Sequence, residues 1–203
     1  MAPFLETVKS FADVGVTEDG VDTLAFLEAA EGVVKLFKLL ENPAFVPVVN
    51  DLEGNITKVR TRYNTHSAQS ATLELLLINE RSEKKRPATE GLMWLLRGLA
   101  FTYKALHVAQ ADAKVELSNA FTLGYEATLK QYHNFVVKGI FALAMKACPY
   151  RKAFYEKLAA DPSGRSAVSP EKLDVELNQW LAGLERILQR MKKVYEEKKY
   201  GEV

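Results

Sequence analysis

The sequence predicts an all-α, single-domain protein of about eight helices, and three observations carry that expectation. Apolar residues recur at three- and four-residue spacing along nearly the whole chain. No stretch shows the strict alternation that marks a half-buried strand. The polar breaks between periodic runs are short, so no linker divides the 203 residues.

Taken in order, residues 1–20 read as an N-terminal extension, and "MAPFLETVKSFADV" lacks the basic flank and apolar run of a signal peptide. Residues 21–40 place Leu24, Leu27, Val34 and Phe37 at helical spacing, with Pro43 just beyond as a stop. "VPVVNDLEGNITKVRTRY" opens on a proline suited to a first turn and runs to about Tyr63. Its Gly54 weakens the helix by about 1 kcal/mol against alanine. "AQSATLELLLINER" is the next helix. Residues 89–109 are apolar around most of the circumference, which marks an enclosed central helix. Residues 114–147 hold two helical segments, and "CPY" at 148–150 breaks the chain. The last long helix starts with Ser169 as cap and Pro170 at its first position. Residues 81–86 and 161–169 are surface loops by composition.

The content of 48% apolar and 26% charged residues is that of a globular protein with a sizeable core. A net charge of +1 gives no overall drive toward nucleic acid or an anionic membrane. One cysteine, Cys148, excludes an internal disulfide and fits a reducing compartment, and no run approaches the roughly 20 apolar residues of a membrane span. The expectation is an intracellular, cytoplasmic protein.

Enzyme signatures are missing. There is no Gly-rich phosphate loop, nucleophile elbow or paired-carboxylate spacing, and His66, His107 and His133 stand far apart without metal-ligand partners. No catalytic residue, metal or cofactor is therefore expected, and Cys148 reads as a buried structural thiol. One constellation stands out. In "DLEGNITK", Asp51, Asn55 and Lys58 fall on a helical stripe only roughly 60° wide. Taken alone, that stripe fits surface charges best. Trp94 and His133 likewise fit core positions best, although a buried indole still needs a partner for its N–H.

The blocks "DLEGNITK", "LMWLLRGL", "YEATLKQYHNFVVKGIF" and "CPYRKAFYEKL" change that weighting, because their order and spacing resemble the glycolipid transfer protein family, most closely its fungal members. Any one block alone is weak; four in register are specific. The resemblance implies a two-layer helical sandwich that moves a sphingolipid between membranes without chemistry. It implies that Asp51, Asn55 and Lys58 hydrogen-bond the first sugar and the ceramide amide, that Trp94 stacks on the sugar and that His133 bonds the amide group. Tyr200 matches a tyrosine near the headgroup more loosely. Relatives that carry ceramide-1-phosphate put basic residues at the positions of Asn55, Trp94 and Gly98. With only Lys58 and Arg97 to offer a phosphate, this site favours a neutral sugar.

Lipid chains must leave the bilayer into an apolar lining, since each buried methylene is worth about 0.8 kcal/mol. Phe37, Phe45, Val48, Leu92, Phe101, Phe141 and Phe154 are the candidates for that lining. For docking on a membrane, Phe135 and Tyr150 form an apolar tip, and Lys138, Lys146, Arg151 and Lys152 a basic rim. The family often carries tryptophan at the position of Phe135. The expected partners are thus one glycosphingolipid and a transient membrane surface, with no nucleic acid. Two rivals stand beside this expectation: a glycolipid sensor read by a protein partner, and a ceramide-1-phosphate carrier.

Overall fold

The computed structural model describes residues 3–161 and 167–203. Eight α-helices make up most of the described chain: α1 (Thr23–Leu39), α2 (Val46–Thr65), α3 (Leu73–Glu80), α4 (Pro87–Ala111), α5 (Leu117–Ala127), α6 (Phe135–Lys146), α7 (Arg151–Ala159) and α8 (Pro170–Lys198). They form the expected two-layer helical sandwich. α4 is its centre: α2, α5 and α8 pack against it, α1 packs on α2, and α6 on α5.

The helix ends follow local chemistry. Asp22 Oδ1 accepts from Ala25 N at 2.7 Å and starts α1 two residues later than the periodicity alone predicts. Thr72 Oγ1 caps α3 at Leu75 N, 3.2 Å away, because residues 67–69 wind as a 3-10 turn instead of joining the helix. Glu80, almost fully buried at the end of α3, accepts from Ala88 N, Thr89 N and Thr89 Oγ1. Its charge therefore sits on the positive end of α4. Ser169 caps α8 as expected, accepting from Lys172 N at 3.2 Å. Residues 151–159, which carry no helix assignment above, form α7. Of the polar stretch 161–169, residues 162–166 lie outside the described residues.

Two findings differ from the expected plan. A small antiparallel ribbon pairs β1 (Val16–Thr17) with β2 (Gly20–Val21), too short to register as alternation. The N-terminal residues are also part of the core. Phe11 is fully buried with its ring 5.0 Å from Trp180 of α8, edge on. Gly183 lets this segment approach: a Cβ there would stand 2.3 Å from Ala12 N. Arg186 Nη2 donates to Val14 O at 3.2 Å, and Lys172 pairs with Glu6 at 2.7 Å, which clasps residues 6–14 along α8.

Candidate functional site

The site is built where α4 lies closest to α2. A Cβ at Gly91 would stand 2.9 Å from Lys58 Cβ, and one at Gly98 3.0 Å from Leu52 Cδ2. Residues 91, 94 and 98 share one helical stripe, so Trp94 lies beside the Asp51–Lys58 stretch of α2. The missing side chains at 91 and 98 are what let the two helices close on it.

Within that stretch the three polar residues are wired together. Lys58 Nζ donates to Asn55 Oδ1 at 3.3 Å, and the Asn55 amide bonds the Asp51 carboxyl. Asn55 is buried at 4% exposure, while Asp51 and Lys58 keep open edges. Desolvation by surrounding protein raises the Asp51 carboxyl above its usual 3.8, against the lowering pull of Lys58 and the Asn55 bond. Gly54 points into open space, so the helix-weakening residue carries no packing role.

His133 reaches the same place from the other side. It sits extended between the 3-10 turn Leu129–Tyr132 and α6, whose first turn Asn134 caps at Val137 N, 3.0 Å away. Its ring stacks on Trp94 with centroids 6.1 Å apart at 18°, and lies 4.7 Å from Phe141. Burial lowers its pKa from 6.5, and the positive charges of Lys138 and Arg97 lower it further. The ring is therefore neutral at neutral pH, with one donor and one acceptor nitrogen. Tyr125 Oη lies 3.1 Å from Nδ1. A phenol is the better acid and imidazole nitrogen the better base, which favours the hydroxyl as donor to Nδ1; in that tautomer the ring proton lies on Nε2.

Two residues here had no sequence signal read for them: Tyr125 and Tyr132. Tyr125 lies on the buried face of α5 with Leu117, Phe121 and Gly124. A tyrosine at a core position needs a hydroxyl partner, and that rule could have pointed to it. Tyr132 lies under Arg97, whose guanidinium is 3.6 Å from the Tyr132 ring centroid and 4.6 Å from that of Trp94. Arg97 Nε and Nη2 both donate to Glu202 O, at 3.0 and 2.8 Å. Tyr200 stands nearby in that closing segment, its ring 5.9 Å from Tyr195.

Below the polar groups runs a file of aromatic rings. His133 meets Phe141, Phe141 meets Phe101 at 6.1 Å, Phe101 meets Phe37 at 6.2 Å, and Phe37 meets Phe45 at 5.8 Å. Val48 and Leu92 are buried in the same core. Phe154, also fully buried, has Tyr155 of α7 as its ring partner at 5.6 Å. Four of the seven candidate lining residues thus form one continuous path from Trp94 and His133 to the start of α2.

The outer face of α6 is apolar and bare. Phe135 is 89% exposed, Val136 68% and Leu143 67%, with Tyr150 at 80% just beyond. Lys146 and Lys152 are exposed on the same stretch, and Lys138 is half-buried. Arg151 departs from the rim expected of it. Its guanidinium donates to Ala109 O and covers the Tyr155 ring at 4.2 Å, because that carbonyl near the end of α4 has lost its helical partner. A cavity of about 540 Å³ beside it, between α7 and α8, is lined by Tyr155, Leu173 and Asp174 and shares no residue with the Trp94 cluster. The Cys148 thiol is pushed up to about 12 by burial, as a structural cysteine should be.

Comparison with known proteins decides the family. Residues 21–160 match the family model for glycolipid transfer protein. The chain belongs to the glycolipid transfer protein family. A glycolipid transfer protein of Aureobasidium melanogenum is 42% identical over 186 residues, 91% of this chain and 89% of that one. Two solved structures superpose with a TM-score of 0.87. One is the fungal glycolipid transfer protein HET-C2, 40% identical, matching 95% of this chain and 96% of that one. The other is the FAPP2 glycolipid-transfer fold, described as selecting simple glycosphingolipids, 32% identical and matching 99% of both chains. No helix among the described residues is long and apolar enough to cross a membrane.

Proposed function

We propose that this protein carries a glycosphingolipid with a neutral sugar, of the glucosyl- or galactosylceramide type, between membranes. The observation that carries the reading is a half-exposed indole set between two hydrogen-bonding arrays at the mouth of an apolar core. On one side Asp51, Asn55 and Lys58 present an acceptor, a two-way amide and a donor. On the other, neutral His133 presents Nε2–H. Sugar hydroxyls suit Asn55 and Lys58, the sugar's C–H face suits Trp94, and the ceramide amide suits Asp51 through its N–H and His133 through its carbonyl. Tyr200 closes the headgroup side.

The chains follow the aromatic file. Phe37, Phe45 and Phe101 are packed against one another, so acyl carbons enter only as those rings part. Phe141, Val48 and Leu92 extend the lining, and Phe154 joins it only if the opening reaches α7. The exposed apolar face of α6, with Lys138, Lys146 and Lys152 around it, docks on the bilayer while the lipid crosses. The lone cysteine held as a thiol supports a cytoplasmic setting. The reading contains no bond-breaking step, so the lipid is returned unchanged.

Gly98 and Trp94 also weigh against ceramide-1-phosphate. A side chain at 98 would crowd Leu52, whose Cδ2 would lie 3.0 Å from the new Cβ, and position 94 presents a ring where a phosphate needs charge. The test is transfer of labelled lipids between vesicles. Glucosyl- and galactosylceramide should move faster than ceramide-1-phosphate or phosphatidylcholine, and chromatography should recover them intact. Preferential movement of ceramide-1-phosphate, or recovery of a hydrolysed product, would overturn the proposal. Binding without transfer would favour a sensor.

A further inference from the structure

We infer that Arg97 is a positioning residue for headgroup recognition: it pins the segment that follows α8 to the Trp94 platform, so that Trp94 and Tyr200 act as one unit. The ligand in this inference rests on the glycosphingolipid reading above; the pin itself does not.

Arg97 is only 8% exposed, and a guanidinium taken out of water must have its donors met. Here its flat faces lie along Tyr132 and Trp94, and two of its N–H groups converge on the Glu202 carbonyl. The hydrogen-bond acceptor is backbone, so the two bonds depend on the path of residues 199–202, and the Glu202 carboxylate adds an attraction of charge. That path is made by unusual backbone. Lys199 turns left-handed at φ 56°, which lets Tyr200 N donate to Tyr195 O at 3.0 Å. Gly201 then takes φ 134°, a conformation side chains rarely adopt, with Met93 Sδ only 2.7 Å from where a Cβ would stand. Met93 directly precedes Trp94. The segment is thus fixed at three points: the end of α8, Met93 and Arg97.

Tyr200 is strung between the first of these points and the other two. Its hydroxyl is buried and has no hydrogen-bond partner among the described residues. A buried hydroxyl left unmatched is unfavourable unless an incoming group completes it. A ligand sugar hydroxyl at Trp94 is such a group. Removing the pin leaves both rings in the chain but no longer at a fixed separation.

The test uses the full chain with Glu202→Cys carrying a nitroxide. This change keeps the backbone carbonyl that Arg97 holds, and it is made together with Cys148→Ser, because that thiol is only half-buried and would compete for the label. The electron-spin spectrum without any lipid should be that of an immobilised probe, and Arg97→Met should make it mobile. Gly201→Val disturbs the same segment from the Met93 side with Arg97 intact, and should do the same. Without the probe, each variant should weaken binding of short-chain glucosylceramide roughly tenfold, read by tryptophan fluorescence. The double variant should bind no worse than the weaker single one. An immobile probe in Arg97→Met, or single effects that multiply toward a hundredfold, would overturn the inference. Should Arg97→Met melt early, Gly201→Val carries both measurements. If the wild type ignores glucosylceramide, the ligand reading falls and the coupling with it, while the nitroxide comparison still decides the pin.

Discussion

Replacing Tyr125 with phenylalanine should loosen headgroup recognition while sparing the fold. The substitution deletes one oxygen, 3.1 Å from His133 Nδ1. The ring remains, and so does its stack on Phe141 at 4.9 Å and 15° and its edge contact with Phe101 at 6.2 Å. What is lost is a neutral hydrogen bond, with a net contribution of about 0.5–1.5 kcal/mol. With it goes the preference for the imidazole proton on Nε2, the atom proposed to face the ceramide carbonyl. Affinity should therefore fall about two- to tenfold. Nitrogen-15 spectra of the imidazole ring should show His133 changing from one tautomer to a mixture. Titration with soluble short-chain glucosylceramide would give the affinity, and thermal melting would stay within a few degrees of wild type. An unchanged tautomer together with unchanged affinity would refute the reasoning. A large drop in melting temperature would instead mean that the hydroxyl supports the fold.

Three further outcomes follow from the same geometry. Trp94→Ala should cost on the order of 1–3 kcal/mol of glycolipid affinity by analogy with other stacked rings, with normal helical dichroism; near-native transfer would remove the stacking role. Binding needs Asp51 ionised and His133 neutral, and both are lost as pH falls. Burial raises the Asp51 carboxyl above 3.8 and lowers the His133 ring below 6.5, so transfer should decline as pH falls from neutral. A rate that rises on acidification would contradict this. Phe135→Ala should reduce vesicle partitioning about tenfold and leave thermal stability alone, since the ring already faces solvent. A destabilised variant that partitions normally would sink the docking role.

Most of the helical plan is legible without coordinates, because α1, α2, α4 and α8 each bury a long apolar stripe and begin at a capping residue or a proline. The short elements are not. "AQSATLELLLINER" reads as one helix, yet residues 67–69 wind as a separate 3-10 turn and the Thr72 cap starts α3 only at Leu73. Val16–Val21 pair through just two residues on each side, too few to leave a period. In the site, the stripe on α2 is visible because one helix carries it. Trp94 and His133 become members through resemblance, since they come from other elements and look like core residues locally. Tyr125, Tyr132 and the carbonyl of Glu202 are invisible for a plainer reason. Their roles come from meeting His133 and Arg97 across the fold, and a backbone oxygen has no identity to read in a sequence.

The clasp of residues 6–14 along α8 bears on how the chain is made. Arg186 and Val14, which it joins, are 172 residues apart. During synthesis Phe11 emerges early and has no pocket until Trp180 and Gly183 leave the ribosome. Closing so long a loop is mild thermodynamically, since each doubling of length costs only about 0.6 kcal/mol. The delay is the harder part. Six helices can assemble around α4 while the groove meant for α8, and the ring meant for Trp180, stay open to other chains. A ribosome paused before residue 180 therefore presents a nearly finished sandwich with its last seam unsealed, the form most in need of a chaperone.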